Sequence, residues 1–241
     1  MIKRIEDFEK KIDEKVNYIK RSVEEAGLKG VVFGLSGGLD SAVVAALCKR
    51  AFKDDALGII MPIHSAPQDE EDARLVAENT GINLKKVDLT KTFDAFMESV
   101  DETNVEMSIH NVKPRLRMTT LYYYAQSKSY MVVGSSNYSE YYTGYFTKHG
   151  DSGADIFPIV DLLKTDLFEM AKYLGLPEKI IDKKPSAGLF EGQTDEDEMG
   201  FTYEELDGYI MKEIKLDEKK KELIDRLHRI NKHKMTILKE E

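Results

Sequence analysis

The chain has 241 residues, of which 41% are apolar, so it is long enough for one large domain with a substantial core. Acidic residues outnumber basic ones by 44 to 35, and the net charge of −9 disfavours binding to nucleic acid or to an anionic membrane surface. The single cysteine, Cys48, excludes an internal disulfide and a cysteine-based zinc site. No apolar run approaches the roughly 20 residues of a membrane span, and the N-terminus has no signal-peptide core, so we expect a soluble cytoplasmic protein.

The N-terminal part of the sequence alternates between helix and strand patterns. Apolar residues recur every three or four positions from Ile2 to Ala26, which predicts an amphipathic helix. The run Val31–Leu35 has no polar member, which is typical of a buried parallel strand. A helix rich in alanine and leucine is predicted from Asp40 to Phe52, and a second strand at Ala56–Met61.

The alternation continues with a helix that Ser65 and Gln68 open as a capping box and Gly81 ends. Further strands and helices are predicted at 84–89, 90–100, 115–127 and 130–134. This order predicts right-handed crossovers and a doubly wound parallel sheet covered by helices on both faces. In such a sheet, ligands bind at the carboxyl ends of the strands, near the change in strand order.

The remainder of the sequence is less regular. Residues 135–157 form a long, polar, glycine-rich connection without periodicity, and a loop of that length in a compact domain is usually functional. Thr165 is predicted to cap the next helix. The acidic stretch 191–198 is predicted to be a mobile loop, and two charged amphipathic helices, at about 203–211 and 217–231, end the chain.

The segment after the first strand has the composition of a phosphate-binding loop. It runs Gly34-Leu35-Ser36-Gly37-Gly38-Leu39-Asp40-Ser41. Glycines let the backbone approach a ligand, and serine hydroxyls and first-turn helix N–H groups donate to phosphate oxygens. It is not the P-loop of kinases and GTPases, because no Gly-Lys-Ser/Thr follows. Asp40 would repel phosphates unless a cation intervenes, and Mg²⁺ is the expected cation. The alternative interpretation is a tight turn in which Ser36 or Asp40 caps the helix.

Two segments carry a family resemblance. Ser36 to Ser41 resembles the pyrophosphate-binding loop of the N-type ATP pyrophosphatases, which adenylate a substrate oxygen, release pyrophosphate and let a nitrogen or sulfur nucleophile displace AMP. The second segment resembles the NAD synthetase signature and runs Gly134-Ser135-Ser136-Asn137-Tyr138-Ser139-Glu140, then Thr143-Gly144-Tyr145-Phe146-Thr147-Lys148-His149-Gly150-Asp151 and Gly153-Ala154-Asp155. Family motifs follow in order at Lys164, Pro185-Ser186-Ala187-Gly188-Leu189, Asp195-Glu196, Gly200, Tyr203 and His233-Lys234. The resemblance covers nearly the whole chain and implies the Rossmann-like adenine nucleotide α-hydrolase fold.

The resemblance also implies roles for individual residues. Asp40 and Glu140 are implied to hold Mg²⁺ against the phosphates of ATP, and Lys164 to contact those phosphates during catalysis. The implied ATP-binding residues are Gly34, Leu35, Ser36, Gly37, Gly38, Leu39, Asp40, Ser41, Ser135, Lys164 and Ser186. The implied deamido-NAD-binding residues are Arg115, Lys148, Asp155, His233 and Lys234. The simpler interpretations are a solvent-exposed acid for Glu140 and ordinary surface lysines for Lys148 and Lys164.

Three positions differ from the family pattern. Ser135 and Ser186 stand where many relatives have threonine, and serine keeps the hydroxyl group. Gly188 stands where many bacterial members have aspartate, so Gly188 is given no role.

An amidase domain would need a cysteine nucleophile, and the single cysteine, Cys48, lies in the helix that leaves the phosphate loop. We therefore expect a single domain over residues 1–241, without a glutaminase domain, that uses free ammonia.

The reaction implied by the resemblance is the ATP-dependent amidation of deamido-NAD, which gives NAD, AMP and pyrophosphate. The small family members are homodimers with the dinucleotide site at the subunit interface, so we expect a homodimer contact at the aromatic helix from Arg115 to Tyr130. The segment Gly188 to Gly200 is the expected lid over the reaction intermediate. Two alternatives stay open: an N-type pyrophosphatase acting on another carboxylate or base, and a nucleotide sensor without turnover. Two carboxylates suited to a metal favour an enzyme.

Overall fold

A computed structural model describes residues 2–186 and 194–235 of the chain. Four strands form a parallel sheet in the order β3-β2-β1-β4. Their bounds are β1 Gly30–Gly34, β2 Ala56–Ile60, β3 Asn83–Lys86 and β4 Tyr130–Val132. In this register Val31 lies opposite both Ala56 and Met131. After β3 the chain crosses back over the sheet to β4, so the strand order reverses between β1 and β4. The ends of these two strands flank the crevice that a doubly wound sheet offers to a ligand.

Helices cover the sheet, and further helices precede the first strand and follow the last one. The first six are α1 Phe8–Glu25, α2 Leu39–Phe52, α3 Pro67–Thr80, α4 Thr90–Glu98, α5 Glu106–His110 and α6 Val112–Lys128. The others are α7 Tyr138–Thr143, α8 Lys164–Tyr173, α9 Glu178–Ile181, α10 Asp195–Met199, α11 Tyr203–Ile210 and α12 Glu218–Ile230. None of the helices among the described residues is long and apolar enough to cross a membrane.

The sheet has an apolar cluster on each face, as the apolar, buried central strand β1 requires. On one face, Val31 and Phe33 pack with α2 and with the apolar stripe of α1, which includes Ile12 and Ile19. On the other face, Val32 packs with residues of α4 and α6. A third, smaller cluster joins α10, α11 and α12. The core therefore holds β1, and with it the start of the phosphate loop, in a fixed position.

Two predicted helix caps are wrong. The capping box at Ser65 is absent: α3 begins at Pro67 with Ala66 as its N-cap, and the Ser65 hydroxyl accepts instead from the Ile63 N–H. Thr165 is not the cap of α8, because that helix already begins at Lys164. The Ser65 hydroxyl has a local partner two residues back, whereas the Thr165 hydroxyl donates to Asp207, 42 positions along the chain, a partner that only the tertiary structure supplies.

Two segments predicted to be irregular contain helices. The connection 135–157 includes α7, which Asn137 and Glu140 open as a reciprocal capping box. Part of the acidic stretch 191–198 forms α10, capped by Thr194, because acidic side chains in a first turn are stabilised by the helix dipole. Residues 187–193 lie outside the described residues, and they include the first part, 188–193, of the segment 188–200 that we expected to act as a lid.

Candidate active site

The phosphate loop joins β1 to α2 and is held together by its own serines. The Ser36 and Ser41 hydroxyls lie 3.0 Å apart, and Ser41 Oγ donates to the carbonyl of Gly38, also at 3.0 Å. The N-cap of α2 is Gly38, which has no side chain to satisfy the first-turn N–H groups. These groups therefore stay available for an anion, and the loop keeps its shape without one. Neither Ser36 nor Asp40 caps the helix, so the alternative interpretation of this loop is wrong.

Gly37 fixes the loop against a neighbouring helix. Its φ is +79°, in the left-handed region. A Cβ at this position would lie 2.8 Å from the backbone nitrogen of Ala73 and 2.8 Å from the backbone oxygen of Asp69, both on α3. Only glycine fits such a close approach of two backbones without displacement.

Three charged side chains meet beside the phosphate loop. Lys164 Nζ, at the first residue of α8, lies 2.6 Å from Asp40 Oδ2 on α2 and 3.7 Å from Glu140 Oε1 on α7. The side chain of Lys164 is 4% exposed, and those of the two acids are 15% exposed. The Asn137 amide also donates to Asp40 Oδ2, at 3.3 Å. The structure thus brings together the three residues for which the family resemblance implies a catalytic role, and Lys164 is not a surface lysine.

The electrostatics of this group favour an additional cation. Burial, followed by the negative charge of Asp40, holds the pKa of Glu140 well above its usual range. Burial alone would lower the pKa of Lys164, but Asp40 and Glu140 outweigh it and raise that pKa. Two carboxylates therefore share one permanent ammonium group. Asp40 Oδ1 is also buried without a hydrogen-bond partner among the described residues, and an orphan oxygen of this kind needs a ligand or ion to compensate for lost hydration.

These groups open into a cavity of about 1260 Å³ at the carboxyl ends of the strands. The predicted site residues that line it are Gly34, Leu35, Ser36, Gly38, Leu39, Asp40, Ser41, Arg115, Ser135, Glu140, Lys148, Lys164, Ser186, His233 and Lys234. Such a volume exceeds the usual size of a pocket for one small ligand, about 300–1,000 Å³. The cavity therefore has room for more than one substrate.

Comparison with known proteins decides the family of the chain. A family model described as NAD synthase matches residues 11–239. The chain belongs to the NAD synthase family. The NH(3)-dependent NAD(+) synthetase of Finegoldia magna is 57% identical over 97% of this chain and 96% of that protein. The protein of the same description from Carboxydothermus hydrogenoformans is 48% identical over 96% of each chain.

Solved structures of similar proteins confirm the fold class. An NMN synthetase from Francisella tularensis superposes with a TM-score of 0.93, at 38% identity over 98% of both chains. An NH3-dependent NAD synthetase from Campylobacter jejuni, solved with a nitrate ion, superposes with a TM-score of 0.81, at 32% identity over 98% of this chain and 99% of that one. The sheet of this chain is thus the Rossmann-like sheet of the NAD synthase family.

In this member of the NAD synthase family, the basic residues assigned to deamido-NAD hold the segment 144–148 against α6 and against the C-terminal residues His233 and Lys234. Arg115 Nε and Nη2 each lie 3.3 Å from the carbonyl oxygen of Lys148. Lys148 Nζ donates to the carbonyl of His233 at 2.9 Å, and Lys234 Nζ donates to the carbonyl of Gly144 at 2.8 Å. The carbonyl partners carry no net charge, so these three cations still attract an anionic ligand, although Asp151 offsets part of the charge of Lys234.

Two predicted site residues, Gly37 and Asp155, do not line the cavity. The Asp155 carboxylate accepts hydrogen bonds from the Tyr122 hydroxyl at 2.9 Å and from the backbone N–H of Val132 at 2.8 Å. Burial and this contact raise the pKa of Tyr122. Within this chain, Asp155 fastens the end of β4 to α6, and its assignment to deamido-NAD stays a prediction.

Sequence reasoning gave no role to two further residues of the site. Asp195 is 3% exposed and accepts from the Tyr203 hydroxyl at 2.9 Å, and burial raises the pKa of both side chains. The Tyr203 ring lies 5.1 Å from Lys164 Nζ, a cation–π contact. Asp195 belongs to the acidic stretch 191–198, whose composition predicts solvent exposure, so nothing in that composition indicated a buried carboxylate. Their place among the family motifs was the only sequence signal.

Arg117 is another cavity residue without a sequence signal. It lies two residues after Arg115 on α6, and its Nε donates to the carbonyl oxygen of Met61 at 3.0 Å. Burial lowers its pKa, although the guanidinium stays charged. A half-buried cation beyond the end of β2 adds to the positive charge that faces the cavity.

Proposed function

We propose that this chain catalyses the ATP-dependent amidation of deamido-NAD by ammonia, giving NAD, AMP and pyrophosphate, the last step of NAD biosynthesis. The observation that carries the proposal is the convergence of Asp40, Glu140 and Lys164 on a phosphate loop in a member of the NAD synthase family. A nucleotide sensor would have little use for two carboxylates and a lysine buried at one point. The relatives described as NH(3)-dependent NAD(+) synthetases support this acceptor over other carboxylates.

ATP is proposed to bind with its phosphates on the loop Gly34–Ser41. The first-turn N–H groups of α2 and the hydroxyls of Ser36 and Ser41 would donate to phosphate oxygens, and the helix dipole adds to the attraction. Ser135, Ser186 and Lys164 face the same cavity and complete the proposed ATP site. To contact the phosphates, the Lys164 ammonium would have to give up part of its ion pair with Asp40.

Magnesium fits the residues beside the loop. Among the described residues there is no group of three or more His, Cys, Asp or Glu arranged to hold a metal. Mg²⁺ does not need one, because it usually takes one or two carboxylates and completes its shell with phosphates and water. Asp40 and Glu140 would hold it, and Asp40 Oδ1 lacks another partner among the described residues. When bound, the ion would neutralise the charge that develops on pyrophosphate as it leaves.

The first chemical step is proposed to activate the nicotinate carboxylate. One carboxylate oxygen attacks the α-phosphorus of ATP, the bond from that phosphorus to the α,β-bridging oxygen breaks, and pyrophosphate leaves. A carboxylate is a poor electrophile, and adenylation turns its oxygen into a good leaving group. The Lys164 ammonium would stabilise the departing pyrophosphate, which it can do because its raised pKa keeps it protonated.

The second step is proposed to use free ammonia. Its nitrogen attacks the carbonyl carbon of the adenylate, the bond to the AMP oxygen breaks, AMP leaves with the electron pair, and the nitrogen releases a proton. Cys48 does not supply a glutamine-hydrolysing nucleophile, because it is fully buried in α2 and burial raises the pKa of its thiol. The described residues 2–186 and 194–235 hold no other cysteine.

Deamido-NAD is proposed to bind through Arg115, Lys148, Asp155, His233 and Lys234. The protein is proposed to act in the cytoplasm as a homodimer, with residues 1–241 forming one catalytic domain. The aromatic face of α6 is the proposed subunit contact, and Tyr123 on that helix is 68% exposed. A partner at this face would lie next to Asp155, which Tyr122 already contacts.

A mononucleotide acceptor is the second candidate. The superposition on the Francisella tularensis NMN synthetase, with a TM-score of 0.93, is closer than that on the Campylobacter jejuni NAD synthetase, with 0.81. The competing acceptor would be nicotinate mononucleotide, which carries the same reacting carboxylate without the adenylate half.

The test is a side-by-side assay with ATP, ammonium and Mg²⁺. Deamido-NAD and nicotinate mononucleotide are offered separately, and NAD, NMN and AMP are quantified by chromatography. We expect NAD and AMP in equal amounts, and a kcat/KM at least tenfold higher for deamido-NAD. Asp40→Ala should abolish turnover without loss of the folded state, as judged by circular dichroism. Normal activity in that variant would refute the metal role, and a preference for the mononucleotide would replace the proposed acceptor.

A further inference from the structure

Asp207, on α11, is a buried acid that no step of the proposed reaction uses. It is 0% exposed, and α11 packs against α7 and α8. A fully buried carboxylate is costly unless its oxygens accept hydrogen bonds. Its partners therefore indicate what it holds in place.

Both oxygens of Asp207 accept hydrogen bonds from residues adjacent to the proposed catalytic pair. Oδ1 accepts from the hydroxyl of Ser139, which precedes Glu140 in α7. Oδ2 accepts from the backbone N–H of Thr165 at 2.9 Å and from its hydroxyl at 2.8 Å, and Thr165 follows Lys164 in α8. One carboxylate thus joins the two helices that carry Glu140 and Lys164.

The Ser139 hydroxyl completes the connection. It donates to Asp207, and its oxygen accepts from the backbone N–H of Lys164 at 2.9 Å. The N-cap of α8 is Leu163, which has no side-chain cap of its own. Two first-turn N–H groups of α8 are therefore satisfied from outside the helix, one by Ser139 and one by Asp207, and the negative charge of Asp207 also suits this end of the helix dipole.

We propose that Asp207 is a positioning residue that sets the placement of Glu140 relative to Lys164, and so the geometry of the cation and phosphate site. Asp207 is not among the residues that line the cavity, and it acts through Ser139 and Thr165. The inference rests on the proposed function for the roles of Glu140 and Lys164. Residues that orient metal ligands from behind typically change metal affinity or activity by about 10–100-fold when mutated.

The test combines metal affinity with kinetics in Asp207→Asn, Ser139→Ala and the double variant. Mn²⁺ affinity is measured by electron paramagnetic resonance in the presence of a non-hydrolysable ATP analogue, so this readout needs no acceptor. Asp207→Asn should weaken Mn²⁺ binding about tenfold and lower kcat by about 10–100-fold. The KM for deamido-NAD should stay within twofold. Ser139→Ala should act in the same direction, and the double variant should be no worse than Asp207→Asn, since both changes break one chain of hydrogen bonds.

Tyr209→Phe is the matched control. Tyr209 lies on the same helix, and its hydroxyl donates at 2.9 Å to Asp225 on α12, so it ties α11 to a different neighbour. This variant should lose stability but keep Mn²⁺ affinity and kcat within twofold of the wild type. If Asp207→Asn behaves like Tyr209→Phe, the inference is overturned; if Asp207→Asn does not fold, Ser139→Ala decides by the same criterion. Wild-type protein that binds Mn²⁺ but does not convert deamido-NAD would refute the proposed acceptor, while the Mn²⁺ comparison still decides the role of Asp207.

Discussion

Replacing Gly37 by alanine tests how the phosphate loop is held. The left-handed backbone at φ +79° costs an L-residue about 1–2 kcal/mol. The new Cβ would also lie 2.8 Å from backbone atoms of Ala73 and Asp69, which cannot rotate away. Relieving such an overlap requires α3 or the loop to shift, at a typical cost of about 1–3 kcal/mol. We expect Gly37→Ala to lower the free energy of unfolding by roughly 2–5 kcal/mol.

Gly175→Ala is the control that separates the two contributions. Gly175 has a φ of +72°, and a Cβ there would meet nothing within 4 Å. It carries the backbone cost and the same loss of unfolded-state entropy, without the overlap. The difference between the two variants, about 1–3 kcal/mol, is therefore the cost of pushing the loop against α3.

The assay is urea unfolding of both variants, followed by calorimetric titration with a non-hydrolysable ATP analogue. A shift of the loop would misplace its N–H groups, so Gly37→Ala should bind the analogue at least about tenfold more weakly, which corresponds to about 1.4 kcal/mol. Gly175→Ala should bind it normally. The reasoning is refuted if the two variants unfold within about 0.5 kcal/mol of each other, the accuracy of such comparisons, and bind the analogue equally.

Three further predictions concern the buried charges. Lys164→Met leaves two acids without their ammonium group, so it should destabilise the protein by roughly 3–5 kcal/mol; Mg²⁺ should then raise its melting temperature more than that of the wild type, and equal shifts would contradict this. The raised pKa of Glu140 means that the folded state holds this proton more tightly, so stability falls as pH rises above the usual value of 4.5. As the pH rises above 4.5, urea midpoints of metal-free Glu140→Gln should therefore depend less on pH than those of the wild type, and an unchanged slope would count against the shift. Tyr203→Phe removes a buried donor to Asp195 and should cost about 1–3 kcal/mol in urea unfolding; no loss would mean that another group satisfies the carboxylate.

The amino-acid sequence by itself determined the class of fold and the position of the phosphate loop between a strand and a helix. Apolar strands alternating with amphipathic helices require a parallel sheet covered on both faces, because no other packing buries them. The loop Gly34–Ser41 was predicted for a similar local reason, since glycines, hydroxyls and a helix start are all encoded within eight consecutive positions. The capping pattern at Asn137 and Glu140 was equally local, and α7 could have been predicted from it.

Only the tertiary structure decided which side chains meet. Lys164 and Asp40 are 124 positions apart, and a lysine at a helix start has the same local sequence whether it is buried or exposed. Thr165 reads as a helix cap, yet its partner is Asp207, 42 positions further along the chain. Asp195 reads as part of a solvated acidic stretch, yet it is buried beside Tyr203. These contacts depend on how α7, α8 and α11 dock against one another, and that docking is set by the summed packing of the whole core rather than by any short segment.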